Sequence, residues 1–174
     1  ISKNPITRIP TLVPHENSEY RIRIFEFNTP FLLSSQDKTK FFQINWSHFN
    51  NSFEFSDMTL NNFFELDRNK FSSKTLLNRN TFNQSSNIEN NSFREDVCIS
   101  FNKFEKSADF KNNTFERNVI IGNNIFEHNI DFSGAEFFGD TNISWNLFKR
   151  HADFSDLKIH KKMDFSGSVF YSSI

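Results

Sequence analysis

The chain has 174 residues, 36% of them hydrophobic, and its 20 basic and 21 acidic side chains nearly cancel. A net charge of −1 provides no global field for nucleic acid, an anionic membrane or a basic partner. No apolar run approaches the roughly 20 residues that span a bilayer. The low apolar content favours disorder, but 25 phenylalanines argue against it, because disordered segments are poor in aromatic residues. Together these features predict a thin core lined by one large residue type.

Residues 1–40 differ in composition from the rest of the chain. They contain all four prolines, Pro5, Pro10, Pro14 and Pro30, and residues 20–27 alternate polar and apolar as a half-buried strand does. The remainder is a repeat, and stacked repeats expose an apolar end and a strand edge unless something covers them. We therefore predict an N-terminal cap over residues 1–40, with a linker to an upstream domain as the alternative.

From Phe42 to Phe170 an 11-residue unit recurs, with large apolar side chains at fixed positions. The first column reads Phe49, Leu60, Phe71, Phe82, Phe93, Phe104, Phe115, Phe126, Phe137, Phe148, Ile159, Phe170. The second reads Ile44, Phe55, Leu66, Leu77, Ile88, Ile99, Phe110, Ile121, Phe132, Ile143, Phe154, Phe165. The third, mostly smaller, reads Phe42, Phe53, Phe64, Thr75, Ser86, Val97, Ala108, Val119, Ile130, Thr141, Ala152, Met163. These columns hold 18 of the 21 phenylalanines in this range, whereas about six would fall there by chance.

A fourth, polar column precedes the first by two residues. It reads Asn69, Asn80, Asn91, Asn102, Asn113, Asn124 and Asn146, with Ala135 in the gap. Inward residues thus occur in pairs at positions i and i+2. Two residues at this spacing lie on the same face of a strand but on nearly opposite faces of a helix. A hendecad coiled coil, the helical alternative for an 11-residue repeat, is excluded because it needs steps of three and four. The unit predicts short strands.

The large residues of successive pairs are separated alternately by five and six positions. This spacing predicts a coil whose sides are short strands and whose corners are short polar segments. Four sides make a coil of about 22 residues, so residues 41–174 predict an all-β solenoid of about six coils. Equivalent residues then stack directly. The phenylalanines form a central ladder, and the asparagines hydrogen-bond along their own column.

Several copies resemble a known family. Ala108-Asp-Phe-Lys-Asn112, Ile130-Asp-Phe-Ser-Gly134 and Ala152-Asp-Phe-Ser-Asp156 are similar to the pentapeptide repeat, Ala-(Asp/Asn)-(Leu/Phe)-x-x. The resemblance implies a right-handed quadrilateral β-helix. This chain departs from the family pattern in two ways: alternate units have six residues, and asparagine often replaces the small inward alanine.

The C-terminal end and the cysteine bear on partners and compartment. The chain stops shortly after Phe170 without an evident cap, and related solenoids can dimerise through such an end. We expect either a homodimer through this end or a chain that continues.

Cys98 alone forms no internal disulfide and fits a reducing compartment, which predicts a cytoplasmic protein. A signal or membrane segment upstream of Ile1 is the alternative.

No catalytic, metal-binding or cofactor motif is present in the sequence, so we expect neither an enzyme nor a cofactor. His128, His151 and His160 fall at outward or corner register, which predicts surface residues. Cys98 lies between inward Val97 and Ile99 and should point outward. No partner base is identifiable, so an incidental thiol is the preferred interpretation.

Two outward columns are candidates for binding. With a 22-residue coil, Asp109, Asp131 and Asp153 should stack on one side, and the repeat resemblance favours a structural role for them. A corner ladder two residues past the phenylalanine column carries basic groups that could meet an anionic partner: Lys106, Arg117, His128, Arg150 and Lys161. A solvated surface is the more common outcome for such a column.

Three classes of function compete. A non-enzymatic protein-interaction or scaffold module is preferred, because solenoids present long regular surfaces and this one lacks catalytic motifs. The pentapeptide resemblance implies, as an alternative, a DNA mimic acting on a type II topoisomerase, which needs a continuous acidic surface. An enzyme acting on polysaccharide would need clustered carboxylates in a groove.

The register is tested by adjacent substitutions. Phe115→Asp should unfold several coils, because it places a charge among stacked rings, and should cost at least about 3 kcal/mol of unfolding free energy. Glu116→Lys, on the outward side, should be nearly silent. Denaturant melts of the two variants compare them directly, and equal losses would contradict the register.

Overall fold

The computed structural model describes residues 19–23, 25–34, 38–39 and 41–172. Every regular element among them is a short β-strand, and the strands form four parallel sheets of seven strands each. Each turn of the chain contributes one strand to each sheet in the order 1, 2, 3, 4. Strand partners are typically one 22-residue coil apart, as in Phe71 and Phe93.

The strands are grouped here by sheet. Sheet 1 contains β1 (Glu19–Arg23), β5 (Phe41–Asn45), β9 (Phe64–Asp67), β13 (Ser86–Glu89), β17 (Ala108–Asp109), β21 (Ile130–Asp131) and β25 (Ala152–Asp153). Sheet 2 contains β2 (Glu26–Phe27), β6 (His48–Phe49), β10 (Lys70–Phe71), β14 (Ser92–Phe93), β18 (Thr114–Phe115), β22 (Glu136–Phe137) and β26 (Lys158–Ile159). Sheet 3 contains β3 (Phe31–Ser34), β7 (Phe53–Ser56), β11 (Thr75–Asn78), β15 (Val97–Ser100), β19 (Val119–Gly122), β23 (Thr141–Asn142) and β27 (Met163–Asp164). Sheet 4 contains β4 (Lys38–Thr39), β8 (Thr59–Leu60), β12 (Thr81–Phe82), β16 (Lys103–Phe104), β20 (Ile125–Phe126), β24 (Leu147–Phe148) and β28 (Val169–Phe170).

The predicted all-β solenoid is confirmed, and the repeat makes about six turns. Strands β1 to β4 lie at the N-terminal ends of the same four sheets. The segment 20–27, predicted as one strand, contributes to two: β1 in sheet 1 and β2 in sheet 2. Residues 1–18 lie outside the described part of the chain. The cap over residues 1–40 and the right-handed sense of the coil stay predictions.

The core consists of the predicted apolar columns. From Phe49 to Phe148 the first column is buried, as is the second column from Ile44 to Ile143. Rings of successive coils stack nearly parallel: the centroids of Phe71 and Phe93 lie 4.8 Å apart at 6°. This separation equals the strand spacing of a sheet, about 4.8 Å, so each ring rests on its equivalent in the next coil.

The asparagine column forms two buried hydrogen-bonded ladders. The backbone N–H of Asn80 donates to Oδ1 of Asn102 (2.9 Å), and the N–H of Asn102 donates to Oδ1 of Asn124 in turn (2.9 Å). The amide Nδ2 of Asn102 donates to the carbonyl of Leu77 (2.9 Å). Each asparagine therefore satisfies buried backbone groups at the corner, where the chain leaves the sheet and the ladder cannot pair them.

Left-handed backbone recurs once in every repeat unit, immediately before the asparagine column, with φ between 54° and 70°. The first left-handed corner joins sheets 1 and 2 and contains Trp46, Arg68, Asn90, Asn112, Gly134 and Asp156. The second left-handed corner joins sheets 3 and 4 and contains Asp57, Arg79, Phe101, Asn123, Trp145 and Gly167. Glycine and asparagine suit this conformation, whereas bulky residues are strained in it. The sixth residue of each longer unit lies at the other two corners.

Strands of sheets 1 and 3 shorten toward the C-terminal half, for a reason visible in sequence. Strand β13 has four residues, whereas β17, β21 and β25 have two. In these shorter strands the aspartate before the inward phenylalanine accepts a hydrogen bond from the N–H two residues later. For Asp131 the donor is the Ser133 N–H, at 2.8 Å. Such a local bond competes with the sheet ladder and ends the strand. These copies are the ones that resemble the pentapeptide repeat.

At the C-terminal end of the described residues the core is open. Phe154, Phe165 and Phe170 are half-buried there, and Ile159 is 45% exposed. The resulting apolar depression has a volume of about 560 Å³ and is lined by Phe154, Asp156, Leu157, Ile159, Met163, Phe165 and Phe170. A homodimer through this end stays a prediction.

The asparagine ladder yields a stability prediction. Asn102→Ala removes the acceptor for two buried donors of Asn80, its N–H and its Nδ2. Leaving a buried donor unsatisfied costs about 1–3 kcal/mol, so we expect a loss of this order in the free energy of unfolding. Asn129→Ala, at an exposed corner, is the matched control and should change stability by less than about 0.5 kcal/mol. Equal melts for the two variants would show that the ladder is not stabilising.

Candidate interaction surfaces

The four outward faces of the solenoid differ in charge, and the contrast is sharpest between the opposite faces of sheets 1 and 3. On sheet 3, the outward positions of four successive turns are uncharged: Leu76, Asn78, Cys98, Ser100, Ile120, Gly122, Asn142 and Ser144. We call this surface the neutral face. Charged residues make up 24% of the chain, so eight uncharged outward positions in succession are a departure from its average.

An apolar stripe runs along the neutral face. Leu76, Cys98 and Ile120 are paired in register on neighbouring strands, and Ile120 is 48% exposed. Beside them runs a column of small residues, in which Ser100 and Ser144 are buried. The predicted outward position of Cys98 is confirmed, and its Sγ lies 3.2 Å from Oγ of Ser100. The stripe therefore protrudes from a flat floor of small side chains.

Two exposed aromatic residues border the neutral face at the second left-handed corner. Phe101 is 60% exposed and Trp145 is 67% exposed. Both have left-handed backbone, with φ of 58° and 59°. A third aromatic at this register, Trp46, belongs to the other left-handed corner, where the Arg68 guanidinium lies 5.0 Å from its ring centroid.

The face of sheet 1 carries an acidic stripe composed of Glu65, Asp67, Glu89, Asp109, Asp131 and Asp153. The predicted stacking of Asp109, Asp131 and Asp153 is confirmed by their register. Hydrogen bonds from Ser155 hold the pKa of Asp153 below its usual range, so this carboxylate is ionised at neutral pH. Lys111 lies within the stripe, with Nζ 2.6 Å from Asp109 and 3.8 Å from Asp131.

The predicted basic ladder is divided between two corners. Lys106, His128 and Arg150 follow strands of sheet 4, whereas Arg117 and Lys161 follow strands of sheet 2. These corners are diagonally opposite in a four-sided coil. Gly139 lies between Arg117 and Lys161, where a Cβ would come within 2.3 Å of the Arg117 backbone. All five side chains are exposed, but the fold separates them into two groups, and anion binding by either group stays a prediction.

The described histidines are exposed or half-buried. His128, His151 and His160 are exposed, as predicted. Burial, together with nearby Lys70, lowers the pKa of His48. Among the described residues no group of three His, Cys, Asp or Glu side chains is placed to hold a metal ion, and no helix could span a membrane.

Comparison with known proteins adds no relative. No protein-family model, curated protein or solved structure matches the chain. The pentapeptide resemblance therefore rests on the quoted motifs and on the four-sided parallel coil. The surfaces have to be interpreted from their own chemistry.

The neutral face and the pair of exposed aromatic residues were not predicted from the sequence, although the sequence contains a signal for each. When the sequence is aligned with an 11-residue period, residues of sheets 1 and 3 fall in the same column. Acidic residues of sheet 1 and uncharged residues of sheet 3 therefore alternate along that column. Separating alternate units, at the 22-residue period, would have resolved Cys98 and Ile120 from Asp109 and Asp131. The same separation places Phe101 and Trp145 in one column.

Proposed function

We propose that the chain is a non-enzymatic protein-interaction module in which the neutral face receives a protein partner. The observation that carries this proposal is the absence of charge from the outward positions of four successive turns, five of which are exposed or half-buried. On the opposite face the corresponding strands carry the acidic stripe. Since outward positions need no apolar residues for folding, the stripe of Leu76, Cys98 and Ile120 favours a binding role.

The composition of the neutral face fits a protein interface. Interface cores are depleted in charged residues and closely packed, with a polar rim. Here the stripe supplies the apolar centre, while the small floor residues Ser100, Gly122 and Ser144 allow close approach. Strand pairing holds the outward residues in fixed positions, so little conformational entropy is lost on binding.

Photocrosslinking can test this proposal. A photoreactive amino acid at Ile120 should capture a specific protein in native cells, whereas the same group at Thr114, on the outward side of sheet 2, should not. With the captured protein purified, Ile120→Glu should weaken its affinity at least about tenfold, because the variant leaves an unpaired charge in an apolar contact. Thr114→Glu is the matched control. Equal affinities of both variants and the unaltered chain would exclude the neutral face as the interface.

The acidic stripe favours a second candidate, a DNA mimic that modulates a type II topoisomerase. Asp109, Asp131 and Asp153 repeat at the strand spacing, about 4.8 Å, along a straight face. Two bases lie against this stripe: Lys111 beside Asp109 and Asp131, and Arg68 paired with Asp67. Such a surface attracts a basic groove, and this attraction should weaken steeply with salt.

A supercoiling assay can test this candidate. The chain should inhibit a type II topoisomerase at low salt, and Asp109→Asn with Asp131→Asn should raise the inhibitory concentration on the order of tenfold, because two negative charges of the stripe are lost. Asp140→Asn, an exposed carboxylate outside the stripe, is the control. Inhibition that is insensitive to both salt and the double substitution would exclude the stripe.

A further inference from the structure

Phe101 and Trp145 lie in a backbone conformation that is costly for bulky residues, and the fold gains little from their side chains. Glycine, asparagine and aspartate adopt the left-handed region most readily, and seven of the twelve residues at this register are of these three types. Both aromatic side chains are mainly exposed. Strain that burial does not offset is characteristic of functional positions.

Trp46 provides the internal comparison. It has the same backbone conformation, but its ring lies against the Arg68 guanidinium, which is itself paired with Asp67 at 2.6 Å. Among the described residues no ring or cation contacts Phe101 or Trp145 in this way. The rings of the second corner are therefore available for an external ligand.

The two aromatic residues lie in one column along the rod. Phe101, Asn123 and Trp145 occupy successive turns, so the two aromatic residues are two strand spacings apart, about 9.5 Å. The indole of Trp145 packs against Gly167. A Cβ at this position would lie 2.7 Å from Cδ2 and 2.8 Å from Cε3 of Trp145, so only glycine leaves room for the ring. The indole thus rests directly on the next turn. Asn123, between the rings, has an exposed side chain.

The charges around this column are already paired. Arg79, on the same corner, donates to Asp57 through both Nε (2.6 Å) and Nη2 (2.7 Å). Lys103, on the adjoining strand of sheet 4, has its Nζ 2.5 Å from Glu105. Stacked bases of single-stranded nucleic acid would need free cations for their phosphates. The nearby cations have intramolecular partners, so an uncharged ligand fits better.

We propose that Phe101, Asn123 and Trp145 bind an extended, uncharged β-1,4-linked polysaccharide of the glucan or chitin type. Sugar rings present C–H faces that stack on aromatic side chains, and their hydroxyl and amide groups match the side-chain amide of Asn123. In an extended β-1,4-linked chain, alternate sugars face the same way, and their separation is close to the two strand spacings between Phe101 and Trp145. An α-1,4-linked chain curves away from a straight column.

This inference goes beyond the proposed protein interaction, since it uses the corner and not the neutral face.

The test uses defined oligosaccharides and the full chain. Isothermal titration with cellohexaose and chitohexaose should give saturable binding to at least one of them, and maltohexaose, the α-linked isomer of cellohexaose, should not bind. Trp145→Ala and Phe101→Ala should each weaken binding on the order of tenfold, the effect of losing one stacked ring. Trp145→Tyr should retain most of the affinity. Trp46→Ala, at the equivalent register of the other corner, should leave it unchanged.

The outcomes distinguish this site from the neutral face. Loss of sugar binding in Trp145→Ala with unchanged melting, together with normal binding in Ile120→Glu, would support the corner site. Absence of binding to both β-linked hexasaccharides would overturn it. Equal affinities of Trp145→Ala and Trp46→Ala would also overturn it. If Trp145→Ala instead abolishes capture of the protein partner without any sugar binding, the corner is part of a protein interface and the polysaccharide proposal is wrong.

Discussion

In-register stacking of parallel strands, one 22-residue coil on the next, is the constraint on which the rest of the structure depends. Each inward residue rests on its own equivalent in the next coil, so every column has to be compatible with itself. Phenylalanine satisfies this requirement because its rings stack at the strand spacing, as Phe93 and Phe115 do at 5.0 Å. Asparagine satisfies it because its amide both donates and accepts. A charged residue would stack on a like charge in a dry interior.

The outward residues do not have to pack in the core, but each still lies beside its equivalent in the next turn. Several opposite charges one turn apart pair across the coil, as in Lys149 and Glu127, whose Nζ and Oε2 are 2.9 Å apart. Exposed pairs of this kind contribute little stability each. They neutralise part of the surface. Two regions differ from it: the acidic stripe, where the carboxylates outnumber the bases beside them, and the neutral face, where charge is absent.

The left-handed corners connect local conformation with function. The turn between sheets requires positive φ once in every repeat unit, whatever residue is present. Gly134 and Asn112 meet this requirement at low cost. Phe101 and Trp145 meet it against their preference and leave their rings in solvent. Because the stacked coil over-determines the corner, it can hold such strained residues in place and present them to a ligand.

Sequence periodicity by itself determined the inward residues and the four-sided coil, because each inward column must repeat whichever sheet it belongs to. It also determined the pairing of the asparagines and the outward position of Cys98. With the 22-residue coil it placed Asp109, Asp131 and Asp153 on one face, but the 11-residue columns did not divide the other outward residues among the faces. An 11-residue unit covers half a coil, so Lys106 and Arg117 are neighbours in one sequence column and lie at opposite corners in the fold. Only the closure of the coil, with two units per turn, decided that Ile120 adjoins Cys98 and that Phe101 and Trp145 share one corner.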